Sequence, residues 1–113
     1  MISTHSLKFR AHTDEQAVES VNLALKNAVL CGKRVVLVVH GYGASGVGGS
    51  NREAVRVFLA KELAAGRIRR VIPGERLTRG DVNDWKRRFN GHVTAFDALL
   101  PNMGNEGITI VEL

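Results

Sequence analysis

Cysteine is nearly absent from this 113-residue chain, with Cys31 standing alone, so one copy can form neither an internal disulfide nor a cysteine-based metal centre. Nowhere does an apolar run approach the ~18 residues that a membrane helix needs. The amino-terminal MISTHSLKFRAHT carries no signal-peptide apolar region. A reducing, cytoplasmic setting is the expectation. No lysine follows the central glycines in the GxxxxGK[ST] spacing, and GYGASG is out of register with GxGxxG, so nucleotide binding of either kind finds no support. Repeats and low-complexity tracts are also missing, and the length suits one domain, residues 1–113, around one core.

The stretch from Val35 to Leu59, VVLVVHGYGASGVGGSNREAVRVFL, says most about function. Val35–Val39 is β-branched except for Leu37, which predicts a buried, central strand. His40 then sits at the carboxyl end of a rigid element. Gly41, Gly43, Gly46, Gly48 and Gly49 allow close approach of backbone to a ligand. Ser50 and Glu53 have capping-box spacing, which predicts a helix from about Asn51 to Ala65. A glycine loop feeding a helix amino end is a natural oxyanion or phosphate site.

Elsewhere the pattern predicts a short edge strand at Leu7–Arg10 and a helix capped by Thr13 and Gln16. Ala17, Val18, Val21, Ala24, Leu25, Ala28 and Val29 recur along that helix at helical spacing up to Gly32. Strands are expected at Ile68–Ile72, stopped by Pro73-Gly74, and at Ile108–Leu113. Residues 76–106 read as an insertion with short helical stretches at Asp81–Phe89 and His92–Leu100, packing Trp85, Phe89, Phe96 and Leu99 onto the domain. The order β-α-β-α-β-(helical insertion)-β predicts an α/β two-layer sandwich, an about four-stranded mixed sheet with two main helices on one face.

Charge is uneven. Residues 66–90 hold Arg67, Arg69, Arg70, Arg76, Arg79, Lys86, Arg87 and Arg88 against Glu75, Asp81 and Asp84, which accounts for the whole formal net charge of +5; the rest of the chain balances. Such a block suits a polyanion, each neutralised phosphate steepening the salt dependence of binding. A solvated arginine-rich face is the alternative reading.

Three stretches together resemble the Smr (small MutS-related) domain family. The family signature has a first strand with Leu-Asp-x-His-Gly, a second strand ending in His-Gly-x-Gly, a following arginine-bearing helix and a closing strand like Gly-x-Gly-x-Thr-x-Val-x-Leu. Here HGYG (His40, Gly41, Tyr42, Gly43) matches the central motif, NREAVRVFL (Asn51–Leu59) resembles the helix, and GNEGITIVEL (Gly104–Leu113) resembles the closing strand. The first motif departs from the pattern: in LKFRA, Lys8 stands where the family has Asp and Arg10 where it has His. The segment before the last strand is also longer than the family's usual short turn. The family is similar in fold to the carboxyl-terminal domain of the third bacterial translation initiation factor. Its members are implicated in binding and nicking DNA or RNA, in some cases at stalled ribosomes.

The resemblance implies phosphate recognition, and phosphodiester cleavage if a base and an acid are present. His40 is the candidate acid/base, since imidazole titrates near neutral pH. Gly41, Tyr42 and Gly43 with Arg52 or Arg56 are candidates to hold a phosphate, Arg10 to add a second clamp, and Arg67, Arg69, Arg70, Lys86, Arg87 and Arg88 to extend the contact. Tyr42 either stacks on a base or is a plain turn aromatic. Only Glu53 lies near, so no dedicated metal site is expected; any Mg2+ would arrive with the phosphates. A non-catalytic adaptor that docks on structured RNA, a ribosome or a protein partner is the alternative to a nicking endonuclease.

Overall fold

The computed structural model describes residues 1–7, 13–41, 47–90 and 92–113, the 47–50 stretch by its backbone alone. Its elements run β1 (Ile2–Ser6), α1 (Asp14–Leu30), β2 (Val35–Val39), α2 (Val47–Ala64), β3 (Arg70–Pro73), α3 (Arg79–Arg88), α4 (Val93–Asp97) and β4 (Ile108–Glu112). The sheet order is β1-β2-β4-β3. β1 runs parallel to β2, whereas β4 is antiparallel to both β2 and β3. This is the mixed four-stranded α/β sandwich that the pattern predicts, with β2 central.

β-strand alternation separates two cores. Val36, Val38 and Val111 face α1 and α2, where Ala17, Val21, Leu25, Val55 and Leu59 meet them. Val35, Ile108 and Ile110 face the other way and pack on Leu77, Val82, Trp85, Phe96 and Leu99. The 76–106 segment therefore covers the second face of the sheet, and all five residues of β4 are buried. That is why Ile108–Glu112 shows no clean alternation of apolar and polar residues.

α3 is held to the sheet by one buried carboxylate. Glu112, 3% exposed, accepts from Trp85 Nε1 at 2.7 Å and from both terminal nitrogens of Arg88 at 3.0 and 2.7 Å. The Arg88 guanidinium holds this carboxyl below the usual carboxylate range, against the opposing effect of burial. Gly74 sits where the chain leaves β3; a Cβ there would collide with the Asn105 carbonyl oxygen and Ile108 Cγ1. Only glycine permits that approach.

Three expected boundaries shift. The first strand is Ile2–Ser6, ahead of the expected Leu7–Arg10, of which residues 8–10 lie outside the described residues: ISTHS is polar because an edge strand is half exposed, and Leu7 is a buried residue just past it, its N–H bonded to Val39 O at 2.8 Å. Lys8 and Arg10 lie outside the described residues. α2 begins at Val47, a turn before Asn51, so Ser50 lies within the helix and does not cap it. β3 is Arg70–Pro73, with Pro73 inside the strand, which an edge position tolerates because one side of the strand needs no N–H donor. Among the described residues no helix is long and apolar enough to cross a membrane.

Candidate functional site

His40 continues the β2 phase of Val36 and Val38, so its ring points to the α2 side of the sheet. It is 3% exposed. Its Nδ1 lies 3.0 Å from the Gly41 carbonyl oxygen, and its Nε2 lies 2.8 Å from Thr109 Oγ1. A carbonyl only accepts, so Nδ1 carries the proton, and in the neutral ring, which burial favours, Nε2 is the acceptor. The Thr109 hydroxyl therefore donates to Nε2, and it accepts from Arg56 Nε at 3.0 Å. One directed chain runs Arg56 to Thr109 to His40 to Gly41 and fixes a single neutral tautomer.

The charge balance agrees with that tautomer. Burial pushes the His40 pKa below its ordinary 6.5, and the guanidinium groups of Arg56 and Arg52 add to the effect; the Gly41 carbonyl and Glu75 pull the other way. Arg56 is itself engaged at all three side-chain nitrogens, with Nη1 and Nη2 bonded to the two Glu75 oxygens at 2.9 and 2.7 Å and Nη2 also bonded to Ile108 O at 3.0 Å. The bidentate pair holds Glu75 below the usual carboxylate range. Arg52 is looser, 3.8 Å from the mostly exposed Glu106.

Gly41 is turned inward too. Its φ of +83° lies in the left-handed region, open to glycine at little cost. Its N–H and that of His40 both donate to Gly107 O at 3.0 Å. Both polar backbone groups of Gly41 are thus bonded within the protein. Tyr42 and Gly43 lie outside the described residues. On the buried stripe of α2, Asn51 is 4% exposed and its Oδ1 has no hydrogen-bond partner among the described residues, an acceptor lodged one turn before Val55.

The basic segment does not form one surface with His40. β2 and β3 both run antiparallel to β4, so Val39 and Pro73 lie beside Ile108 and Thr109 while Val35 and Arg70 lie beside Glu112. His40 is therefore at one pole of the sheet and Arg67, Arg69 and Arg70 are at the other, roughly 15 Å away along β2. Several of these cations are also engaged internally: Arg70 with Asp81 and Asp84, Lys86 with Asp97, Arg88 with Asp84 and Glu112. Arg67 pairs with Glu62 and Arg87 with Asp84 at the exposed surface. Arg69 has no such partner among the described residues. Among those residues no three His, Cys, Asp or Glu side chains converge as a metal site.

Thr109, Glu75 and Asn51 escape sequence reasoning. Thr109 leaves one trace, a lone hydroxyl in the otherwise apolar run from Ile108 to Val111. Glu75 leaves none, because its partner is 19 residues away on another element.

Comparison with known proteins places this geometry. The family model described as the Smr domain matches residues 7–113. The crystal structure of the Smr domain of Thermus thermophilus MutS2 is similar to this chain with a TM-score of 0.60 and 22% identity, covering 98% of this chain and 96% of that one. No curated protein matches in sequence.

Proposed function

The chain belongs to the Smr domain family, and on that premise we propose that it binds nucleic acid, DNA or RNA, and that His40 is a positioning residue for the loop that meets the phosphates. The observation that carries this reading is the closed hydrogen-bond path from Arg56 through Thr109 and His40 to Gly41. It fixes His40 and Gly41 where the chain leaves β2. Tyr42 and Gly43 are the loop's own candidate contacts. Arg52, one turn into α2 and weakly paired, is the candidate guanidinium clamp.

Recognition ranks ahead of nicking here. General acid–base work at a phosphodiester needs a ring nitrogen within reach of the reacting oxygen, and both nitrogens of His40 are bonded inside a buried path. Structured RNA and the ribosome are natural targets for a module that binds without cutting.

The test compares wild type, His40→Ala and His40→Asn on single- and double-stranded DNA and RNA, with and without magnesium. The asparagine amide keeps a donor near the Nδ1 position but cannot shuttle a proton. The positioning role predicts binding weakened about tenfold by His40→Ala, through removal of one buried hydrogen-bonded link, and mostly restored by His40→Asn. Cleavage by the wild type that disappears equally in both variants, with binding intact, would instead make His40 the proton-transfer group. Failure of the wild type to retain any of the probes at low salt would remove the nucleic-acid reading itself.

A further inference from the structure

The pole opposite His40 gathers several cations. β2 starts, β4 ends and β3 starts side by side there. Leu113 N donates to Arg34 O at 2.9 Å, Arg69 N to Glu112 O at 2.8 Å, and Arg67 N to Glu62 O at 3.0 Å. These bonds and the turn after α1 gather Lys33, Arg34, Arg67 and Arg69 around one concavity of about 460 Å3, floored by Val29, Gly32 and Leu113. A neighbouring hollow of about 260 Å3 shares Val29, Arg67 and Leu113 and adds Lys26 and Glu62.

Three of the four lining cations lack a carboxylate. Arg67 is bonded to Glu62, but no acidic group among the described residues lies within ion-pairing distance of Lys33, Arg34 or Arg69. Several cations elsewhere are paired instead: Arg56, Arg70, Lys86 and Arg88 each meet a carboxylate. Arg34 is oriented by the Phe89 ring, its guanidinium carbon 5.4 Å from the ring centroid, which leaves the planar fork of donors unfilled. Like charges gathered around one hollow repel each other in the free protein and are relieved by a bound polyanion.

We propose that this pole is a second binding site for a sugar-phosphate backbone, with Arg34 and Arg69 as its phosphate contacts and Lys33 as its rim charge. The inference rests on the nucleic-acid reading above and adds a site at the end of β2 opposite His40. One domain then holds two stretches of nucleic acid, one at each end of β2.

The test measures the affinity of wild type and the Arg34→Gln/Arg69→Gln double variant for a short DNA duplex and an RNA hairpin between about 50 and 200 mM salt. Both residues are exposed, so the variant is expected to melt with the wild type, and a thermal scan checks this. Every phosphate that is no longer neutralised takes away close to one unit of slope, so the salt slope should fall by about two and the affinity at the lower salt by tenfold or more. A variant with unchanged slope and affinity overturns the second site while leaving the HGYG-loop reading intact. A wild type that binds neither probe overturns both, a different and separable result. Capture of a polyglutamate peptide that the variant loses, with nucleic-acid binding unchanged, would assign the pole to an acidic protein segment and overturn the proposal.

Discussion

The two ends of β2 use arginine in opposite ways. At the His40 end Arg56 makes four close hydrogen bonds, to Thr109, to both oxygens of Glu75 and to the Ile108 carbonyl, and belongs to the frame. At the other end Arg34 and Arg69 are exposed and have no carboxylate partner among the described residues, each hydrogen-bonded to the sheet through its backbone. Positive charge counted along a sequence is therefore not positive charge available to a ligand. The densest basic run, Lys86-Arg87-Arg88, is directed at Asp97, Asp84 and Glu112, while the open cluster adds Lys33 and Arg34 from outside the 66–90 block.

The sharpest way to break the contrast is to remove one arginine from each end. Arg56→Met leaves the Glu75 carboxylate, the Thr109 hydroxyl and the Ile108 carbonyl without their donor, a loss of about 2–4 kcal/mol by denaturant unfolding. Arg69→Ala removes only solvated charge and should stay within about 0.5 kcal/mol of wild type. Similar costs at the two sites would abolish the distinction between frame and surface.

A smaller effect tests the frame by pH. The His40 pKa is lowered in the folded chain, so between the folded value and 6.5 the unfolded chain binds more protons. The stability that depends on neutral His40 is complete above pH 6.5 and is lost as pH falls below it through the folded pKa. Thermal melts of wild type and His40→Asn from roughly pH 7.5 to 5 isolate this contribution, because carboxylate titrations are common to both. The wild type should lose more stability than the variant over that range; parallel curves would mean that the ring is not held neutral.

Much of the frame was legible in the sequence where one residue type has one structural use. The β-branched run at Val35–Val39 and the Thr13/Gln16 capping box appear where the pattern puts them. Legibility failed where local signals compete. Ser50 and Glu53 have capping-box spacing, yet the helix has already started through Gly48 and Gly49; and polar ISTHS hides a strand whose pairing with β2 supplies its order. His40 stood out because a histidine ends an apolar strand. Its partners did not, since Thr109 is 69 residues away and meets it only after β4 is laid beside β2.

The most direct test is an NMR titration that follows the arginine Nε–H signals while a short DNA duplex or an RNA hairpin is added. The account predicts that Arg56 and Arg88, whose Nε–H groups are bonded to Thr109 and Asp84, exchange slowly and barely move, while Arg34 and Arg69 shift on addition. Large shifts at Arg56 with none at Arg34 and Arg69 would contradict it.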